Sequence, residues 1–186
     1  MERTRRQELL ELALRDLERH GLADLSLRPL AARIGTSARL LIFHFKSKEG
    51  LMQALLEEVQ RELQETARAL PAPGADASPV PLQLFWRWAT RRDNLPRLRL
   101  LYEAHIIALQ NPRRFGRYLE QNSVSWVRLI EARLSPELRS REIATLCAAV
   151  FDGLMLELMS SGDLKRTTRA LDRFVALLLT ERRRHR

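Results

Sequence analysis

Apolar residues recur along this chain at intervals of three and four positions, which is the spacing of one face of an α-helix. The pattern predicts a first helix from about Arg5 to His20. Shorter helices follow, capped by Ser26 and Ser37, and Ser47 caps a long fourth helix. No stretch alternates apolar and polar residues with the period of two that is typical of a strand. The pattern therefore predicts an all-α fold.

One break interrupts the helical pattern, at residues 70–81 (LPAPGADASPVP), where proline, glycine and small residues dominate. We interpret this segment as a loop that separates two regions. The predicted organisation is a three-helix head over 1–51, a connecting helix over 52–70, a loop over 71–81 and a helical bundle over 82–186. Helices in that bundle are predicted near 82–93, 95–110, 112–134, 136–160 and 164–183.

The formal net charge of +9 points to a negatively charged partner. Nearly all the cations are arginines, because lysine occurs only at positions 46, 48 and 165. The planar guanidinium group binds phosphate through paired hydrogen bonds, so nucleic acid is the favoured partner. The positive charge is spread over the whole chain, however, and does not by itself locate a binding surface.

Several features predict a cytoplasmic protein that does not contact membranes. Cys147 is the only cysteine, so an intramolecular disulfide is impossible. Charged residues rather than an apolar segment follow Met1, which argues against a secretion signal. No uninterrupted apolar run approaches the ~18–20 residues that cross a bilayer.

The stretch between Leu25 and Leu51 carries the most information about function. It contains two short helices around the turn Gly35-Thr36-Ser37, and then the run His44-Phe45-Lys46-Ser47-Lys48-Glu49. Together with His20-Gly21 and Ser26-Leu27-Arg28, these elements match one pattern without a gap. The segment from Arg6 to Leu51 resembles the DNA-binding head of TetR-type bacterial transcription regulators.

This resemblance implies a homodimer that binds a palindromic operator in double-stranded DNA, with half-sites ~34–36 Å apart. The third helix would enter the major groove, and Arg39 is the leading candidate to bind guanine O6 and N7. Lys48 would contact phosphate where free backbone N–H groups also face an anion. The base-reading candidates are Ser37, Ala38, Arg39, Leu40 and Phe43. The phosphate-contact candidates are Ser26, Arg28, Thr36, His44 and Lys48.

Three residues depart from the family pattern. Ile42 stands where the family usually has a tyrosine that reaches a phosphate, and Arg39 replaces a small residue. Pro29 replaces an acidic residue, so the reciprocal capping pair with Ser26 is lost. Taken singly, the serines of the head would serve equally well as helix caps, and Phe45 as core.

By the same resemblance, the bundle would dimerise and bind a small hydrophobic or amphipathic effector. Effector binding would release the protein from DNA, and most members of the family that work in this way are repressors. The last two helices supply the apolar dimer candidates Leu146, Ala149, Val150, Gly153, Leu154, Leu158, Leu171, Phe174, Val175 and Leu178. Polar and aromatic side chains crowd three earlier helices and are typical of a pocket for an apolar ligand. These effector-contact candidates are Trp86, Trp88, Tyr102, His105, Tyr118, Asn122 and Trp126.

Other interpretations stay open at this point. The polar and aromatic residues of the bundle would also fit an ordinary core, with Asn122 and His105 satisfied by hydrogen bonds. An enzyme is disfavoured, because the sequence has no Gly-rich phosphate loop, no metal-spaced His/Cys cluster and no Ser/His/Asp grouping; we expect no cofactor and no metal. An all-helical ligand-binding or adaptor protein with a degenerate head is the alternative. The sequence identifies neither the effector, the operator and its genes, nor the sign of regulation.

Overall fold

The structure, a computed structural model, describes residues 4–22, 25–71 and 80–184, the last four of them for their backbone only. All regular secondary structure in these ranges is helical, which confirms the predicted fold class. The helices are α1 (Arg5–His20), α2 (Leu27–Arg33), α3 (Ala38–Phe45), α4 (Lys48–Ala69), α5 (Pro81–Ala89), α6 (Leu95–Gln110), α7 (Pro112–Glu131), α8 (Arg141–Ser161) and α9 (Leu164–Arg184).

Local capping accounts for the ends of several helices. The Thr4 hydroxyl accepts from the Gln7 backbone N–H at 3.3 Å while the Gln7 side chain accepts from the Thr4 N–H, a reciprocal pair that begins α1. Gly162 ends α8 with φ of 69°, in the left-handed region that glycine tolerates best. Asp163 then accepts from the Arg166 backbone N–H at 2.9 Å and begins α9.

The predicted helix over 136–160 is wrong at its start. Pro136–Leu138 forms a short 3₁₀ helix instead, and α8 begins only at Arg141. The cause is the next capping serine, because the Ser140 hydroxyl accepts from the Ile143 backbone N–H at 3.1 Å. The predicted start coincides with this 3₁₀ helix, whereas the cap that begins α8 lies four residues after Pro136. Most of the predicted loop, residues 72–79, lies outside the described residues.

The chain divides into two compact units, and each unit is built from two segments that are separate in the sequence. Unit 1 comprises Met1–Glu62 and Leu95–Glu120, and unit 2 comprises Leu63–Asn94 and Gln121–Arg186. The core of unit 1 includes one apolar face of α1, with Leu9 and Leu17 at 0% and 1% exposure. In unit 1, α1 packs on α2 and α6, and α2 packs on α3.

Unit 2 is organised around the α8–α9 pair, on which α5 and the 3₁₀ helix also pack. Its largest buried side chain is Trp86, whose indole N–H donates to the Thr168 hydroxyl at 2.9 Å. The helix α8 has mean hydropathy 1.6 over an 18-residue window, and 28% of that window is buried. By length and composition alone α8 is long and apolar enough to cross a membrane, which the search for uninterrupted apolar runs did not anticipate.

Candidate nucleic-acid interface

The third helix is held at its start by a serine cap and a tight turn. The Ser37 hydroxyl accepts from the Leu40 backbone N–H at 3.1 Å, as predicted. Gly35 has φ of 70°, a conformation that glycine adopts without strain, and the following Thr36 N–H donates to the Ala31 carbonyl at 2.8 Å. This turn joins α2 to α3 with its backbone groups satisfied.

The inner side of α3 is fully packed, whereas its outer side is open. Leu41 is completely buried and Phe45 is 4% exposed, and the Arg6 guanidinium lies 5.1 Å from the centre of the Phe45 ring. On the outer side, Ile42 is 47% exposed and Phe43 is 67% exposed. Large apolar side chains that stay in water on a well-packed helix indicate a contact surface.

The junction between α3 and α4 depends on a glycine that the sequence analysis did not single out. A Cβ atom at Gly50 would lie 2.0 Å from the Phe45 carbonyl oxygen, so no other residue fits there without a backbone shift. The Ser47 hydroxyl accepts from the Gly50 N–H at 3.0 Å, which confirms Ser47 as the cap of α4. The close approach sets the angle at which α3 is presented.

The cations of the head fall into two groups. Arg28, Arg39 and Lys48 are exposed and have no hydrogen-bond or ion-pair partner among the described residues. In contrast, Arg33 donates to both carboxylate oxygens of Asp16 at 2.7–2.9 Å, which raises the pKa of this arginine. Arg33 therefore fastens α2 to α1, and the unpaired group is available to an external anion.

The remaining DNA candidates differ in accessibility. Ser26 and Ser37 are exposed, and Thr36, Ala38, Leu40 and His44 are half-buried. The His44 ring packs edge-on against Phe43, with centroids 5.1 Å apart. Ser26 precedes α2 as predicted, but its side chain makes no capping hydrogen bond. The predicted cap is wrong in this respect, and the hydroxyl is open to solvent instead.

Comparison with known proteins agrees with this geometry. Residues 9–55 match the family model of bacterial regulatory proteins of the tetR family. The HTH-type transcriptional regulator BetI of Cronobacter sakazakii is 32% identical over 78 residues, which are 42% of this chain and 39% of that protein. BetI of Burkholderia thailandensis is 25% identical over 189 residues, which are 98% of this chain and 97% of that protein. The first quarter of the chain thus resembles the DNA-binding head of the tetR family.

A solved structure extends the likeness to the whole fold. The multidrug binding protein EbrR in complex with ethidium superposes with a TM-score of 0.69 at 24% identity, covering 91% of this chain and 98% of that one. A head and a helical bundle arranged in this order therefore form a known fold. The chain is a helix-turn-helix transcriptional regulator rather than an enzyme, as its regulatory relatives indicate.

The effector candidates are divided between the two units. In unit 1, the His105 and Tyr118 rings meet edge-on with centroids 6.2 Å apart, and Tyr102 lies one turn of α6 before His105. The Tyr118 hydroxyl is buried without a hydrogen-bond partner among the described residues, and burial raises the pKa of Tyr118. An apolar cavity also lies in unit 1, lined by α4 and α6 side chains, but its volume of about 10 Å³ holds at most one water.

In unit 2, Phe85 joins two of the predicted aromatics. It stacks on Trp88 with ring centroids 5.6 Å apart and packs against Trp126 at 5.8 Å. Phe85 was missed because its position three residues before Trp88 is equally typical of core. Trp86, in contrast, is 1% exposed and already donates its N–H within the core.

A buried polar group lies one helical turn before Trp126. The Asn122 side-chain oxygen is buried and accepts no hydrogen bond within the described part of the chain. Its neighbour Ser125 accepts from the Gln64 side chain at 2.7 Å and donates to the Asn122 carbonyl at 3.0 Å. Unit 2 thus contains an aromatic cluster from α5 and α7 and, on α7, an unused acceptor.

The dimer candidates on α8 and α9 divide by burial. Leu158, Leu171 and Val175 are at most 5% exposed and belong to the core of unit 2. Leu146 is 51% exposed, and two apolar residues that were not predicted, Leu156 and Leu177, are 45% and 56% exposed. Exposed apolar and small residues of α8 form a stripe with helical spacing: Leu146, Ala149, Gly153 and Leu156. Val150, Leu154, Phe174 and Leu178 are half-buried.

Proposed function

We propose that this protein is an effector-released repressor that binds a palindromic DNA operator as a homodimer. The observation that carries the proposal is the outer side of α3, where Arg39 and Phe43 are exposed on a helix whose inner side is fully packed. An unpaired arginine beside an exposed aromatic ring fits the major groove, which offers both hydrogen-bond acceptors and thymine methyl groups.

The candidate base contacts differ in chemistry. Arg39 donates two parallel hydrogen bonds to guanine O6 and N7, a contact that discriminates against other bases by about 1–3 kcal/mol. Phe43 packs on a thymine methyl group, with Ala38 and Leu40 as smaller apolar neighbours. The Ser37 hydroxyl, already accepting from the backbone, keeps its proton to donate to a base edge.

Phosphate contacts flank this helix on both sides. Arg28 lies in the first turn of α2 and Lys48 in the first turn of α4, where free backbone N–H groups add to the attraction for an anion. Ser26, Thr36 and His44 add neutral donors. These contacts set the position of the head on the duplex, while the α3 side chains select the sequence.

Dimerisation is assigned to the exposed apolar stripe of α8. Two copies of this stripe meeting about a two-fold axis bury the same leucines from each protomer. Ala149 and Gly153, four residues apart, allow the two helices to approach closely. Phe174 and Leu178 of α9 extend the contact, so that two helices from each protomer form a four-helix interface.

The effector contacts are assigned to Trp88, Asn122 and Trp126 in unit 2. The aromatic rings favour an apolar or aromatic ligand, and the unused Asn122 oxygen accepts a hydrogen bond from a ligand N–H or O–H. His105 and Tyr118, with Tyr102, are a second candidate set in unit 1. Release follows if the effector binds more tightly to the state in which the heads do not match the operator.

In vitro selection from a random duplex pool tests the proposal, using the full chain at near-physiological salt. Enrichment of a palindrome supports both sequence reading and two-fold binding. Enrichment of a single half-site contradicts only the homodimer and leaves base recognition supported. A pool that stays flat and binds only at low salt contradicts operator recognition, and leaves a helical ligand-binding protein with a degenerate head.

The effector assignment needs its own experiment. The selected operator serves as a reporter in a screen for small molecules that release the protein. A releasing compound is then tested on Asn122→Leu and on Ser160→Ala, a control at an exposed α8 position. Loss of the response in Asn122→Leu alone supports the assignment, and equal responses contradict it.

A further inference from the structure

The arginine-rich start of α7 carries positive charge that the proposed DNA contacts do not use. Residues 104–119 contain three arginines, Arg113, Arg114 and Arg117, and no acidic residue. This segment belongs to unit 1, the unit that also contains the DNA-binding head. The position of these arginines can therefore be described relative to the head.

One of the three arginines locates α7 beside the DNA-facing end of α4. Arg114 Nη1 lies 2.8 Å from the Glu49 carboxylate, in the first turn of α4. Glu49 directly follows Lys48, the strongest phosphate candidate of the head. The ion pair also neutralises a carboxylate that would otherwise repel a phosphate bound at Lys48.

The other two arginines are exposed and unused. Arg113 and Arg117 are four residues apart on one face of α7, while Phe115 between them is 4% exposed and packs inward. Neither has a hydrogen-bond or ion-pair partner in the described ranges. Unlike Arg99, which pairs with Glu103 on its own helix at 3.0 Å, they keep their charge for an external partner.

We infer that Arg113 and Arg117 form a second phosphate-binding surface, continuous with Lys48. This surface lengthens the contact of the head with the DNA backbone. This inference rests on the proposed DNA-binding function. Because backbone contacts carry no sequence information, this surface raises affinity without changing the selected operator.

The test compares the double variant R113Q/R117Q with the wild-type full chain on the selected operator and on a scrambled duplex, across a salt series. We expect roughly tenfold weaker binding to both duplexes at near-physiological salt. The slope of log affinity against log salt should fall by about 0.9 for each phosphate that the variant no longer neutralises, or about 1.8 for each protomer. The base preference of the variant should stay that of the wild type.

A matched control removes the same charge elsewhere. R87Q/R91Q changes two exposed arginines of unit 2 that are also four residues apart. It should leave the salt slope unchanged, and an equal weakening would reduce the effect to net charge. Circular dichroism melting shows whether R113Q/R117Q is folded, and an unfolded double variant moves the test to the single changes R113Q and R117Q.

The outcomes separate this inference from the function on which it rests. A wild-type chain that selects an operator, with a variant of equal affinity and equal salt slope, overturns only the second phosphate-binding surface. A wild-type chain that binds no duplex overturns both. A variant that loses operator affinity but keeps scrambled-duplex affinity also contradicts the inference, because removing a backbone contact weakens binding to both duplexes.

Discussion

Two helices of this protein expose large apolar side chains to water, and the charges around these side chains indicate different types of partner. On α3, Ile42 and Phe43 are exposed on a helix that also carries the unpaired Arg39. On α8, Leu146 and Leu156 are exposed in a stretch, residues 142–164, that contains no lysine or arginine. Exposed apolar surface among free cations suits DNA, whereas the same surface without cations suits a second protein chain.

The two helices also differ in how they are held. The helix α3 has eight residues and depends on its capping serine, on the buried Leu41 and on the close approach of Gly50. The helix α8 has 21 residues and packs along α9. A helix as short as α3 needs support from its neighbours, since isolated helices of that length are marginal in water.

The largest expected effect comes from placing charge on the α8 stripe. If the proposed dimer forms through this stripe, L146R/L156R should be a monomer and should bind the operator at least about 100-fold more weakly, because two heads no longer bind as one unit. Sedimentation velocity measures the mass, and a DNA titration measures the affinity. The control I106R/L109R changes two exposed apolar residues of α6 and should leave the dimer mass unaltered. A dimeric L146R/L156R would remove α8 from the interface.

Gly50→Ala tests whether the junction with α4 holds α3 in place. A Cβ atom 2.0 Å from the Phe45 carbonyl oxygen should lower the free energy of unfolding by about 2 kcal/mol or more, measured by urea denaturation. Gly116→Ala is the matched control, because a Cβ atom there meets nothing within 4 Å and α7 is helical. That change should stabilise by about 0.5–1 kcal/mol. Equal effects of the two substitutions would show that the close approach is unimportant.

Asn122→Leu distinguishes a ligand contact from a structural hydrogen bond. The Asn122 oxygen is buried without a partner among the described residues, so an apolar side chain of similar size should raise the free energy of unfolding by roughly 1 kcal/mol. The same variant should no longer respond to a releasing effector. A stability decrease of that size would instead identify Asn122 as part of the internal packing of unit 2.

The smallest effect sharpens the meaning of the exposed ring on α3. Replacing a contacted thymine by deoxyuridine removes one methyl group and should weaken wild-type binding about fourfold, which corresponds to ~0.8 kcal/mol. Phe43→Ala should bind the two duplexes equally. If every thymine of the operator tolerates the replacement, Phe43 does not read a methyl group and its exposure serves another contact.

The sequence was most informative where local rules decide the structure. The Ser37 and Ser47 caps follow from residues within one helical turn, and both are confirmed. The late start of α8 was missed because Pro136 and Ser140 are both good starting residues, and the Ser140 cap is the one that begins α8.

Tertiary contacts account for what the sequence did not predict about the candidate sites. Nothing in the local sequence indicates that Gly50 meets the Phe45 carbonyl or that Arg114 pairs with Glu49, 65 positions earlier in the chain. The dimer candidates were chosen by hydrophobicity, which does not separate the buried Leu171 from the exposed Leu146. Periodicity locates an apolar face but not which partner covers it.

Selection of binding sites by the wild-type chain, Arg39→Ala and Lys48→Ala in parallel tests the central claim, that α3 reads bases while its flanks hold phosphates. Arg39→Ala should enrich the same palindrome without the preference for guanine at one position of each half-site. Lys48→Ala should enrich the unchanged palindrome at uniformly lower affinity, with a salt slope smaller by about 0.9 for each protomer. The account is contradicted if the two variants lose affinity alike and neither alters the selected sequence, because Arg39 would then be only another phosphate contact.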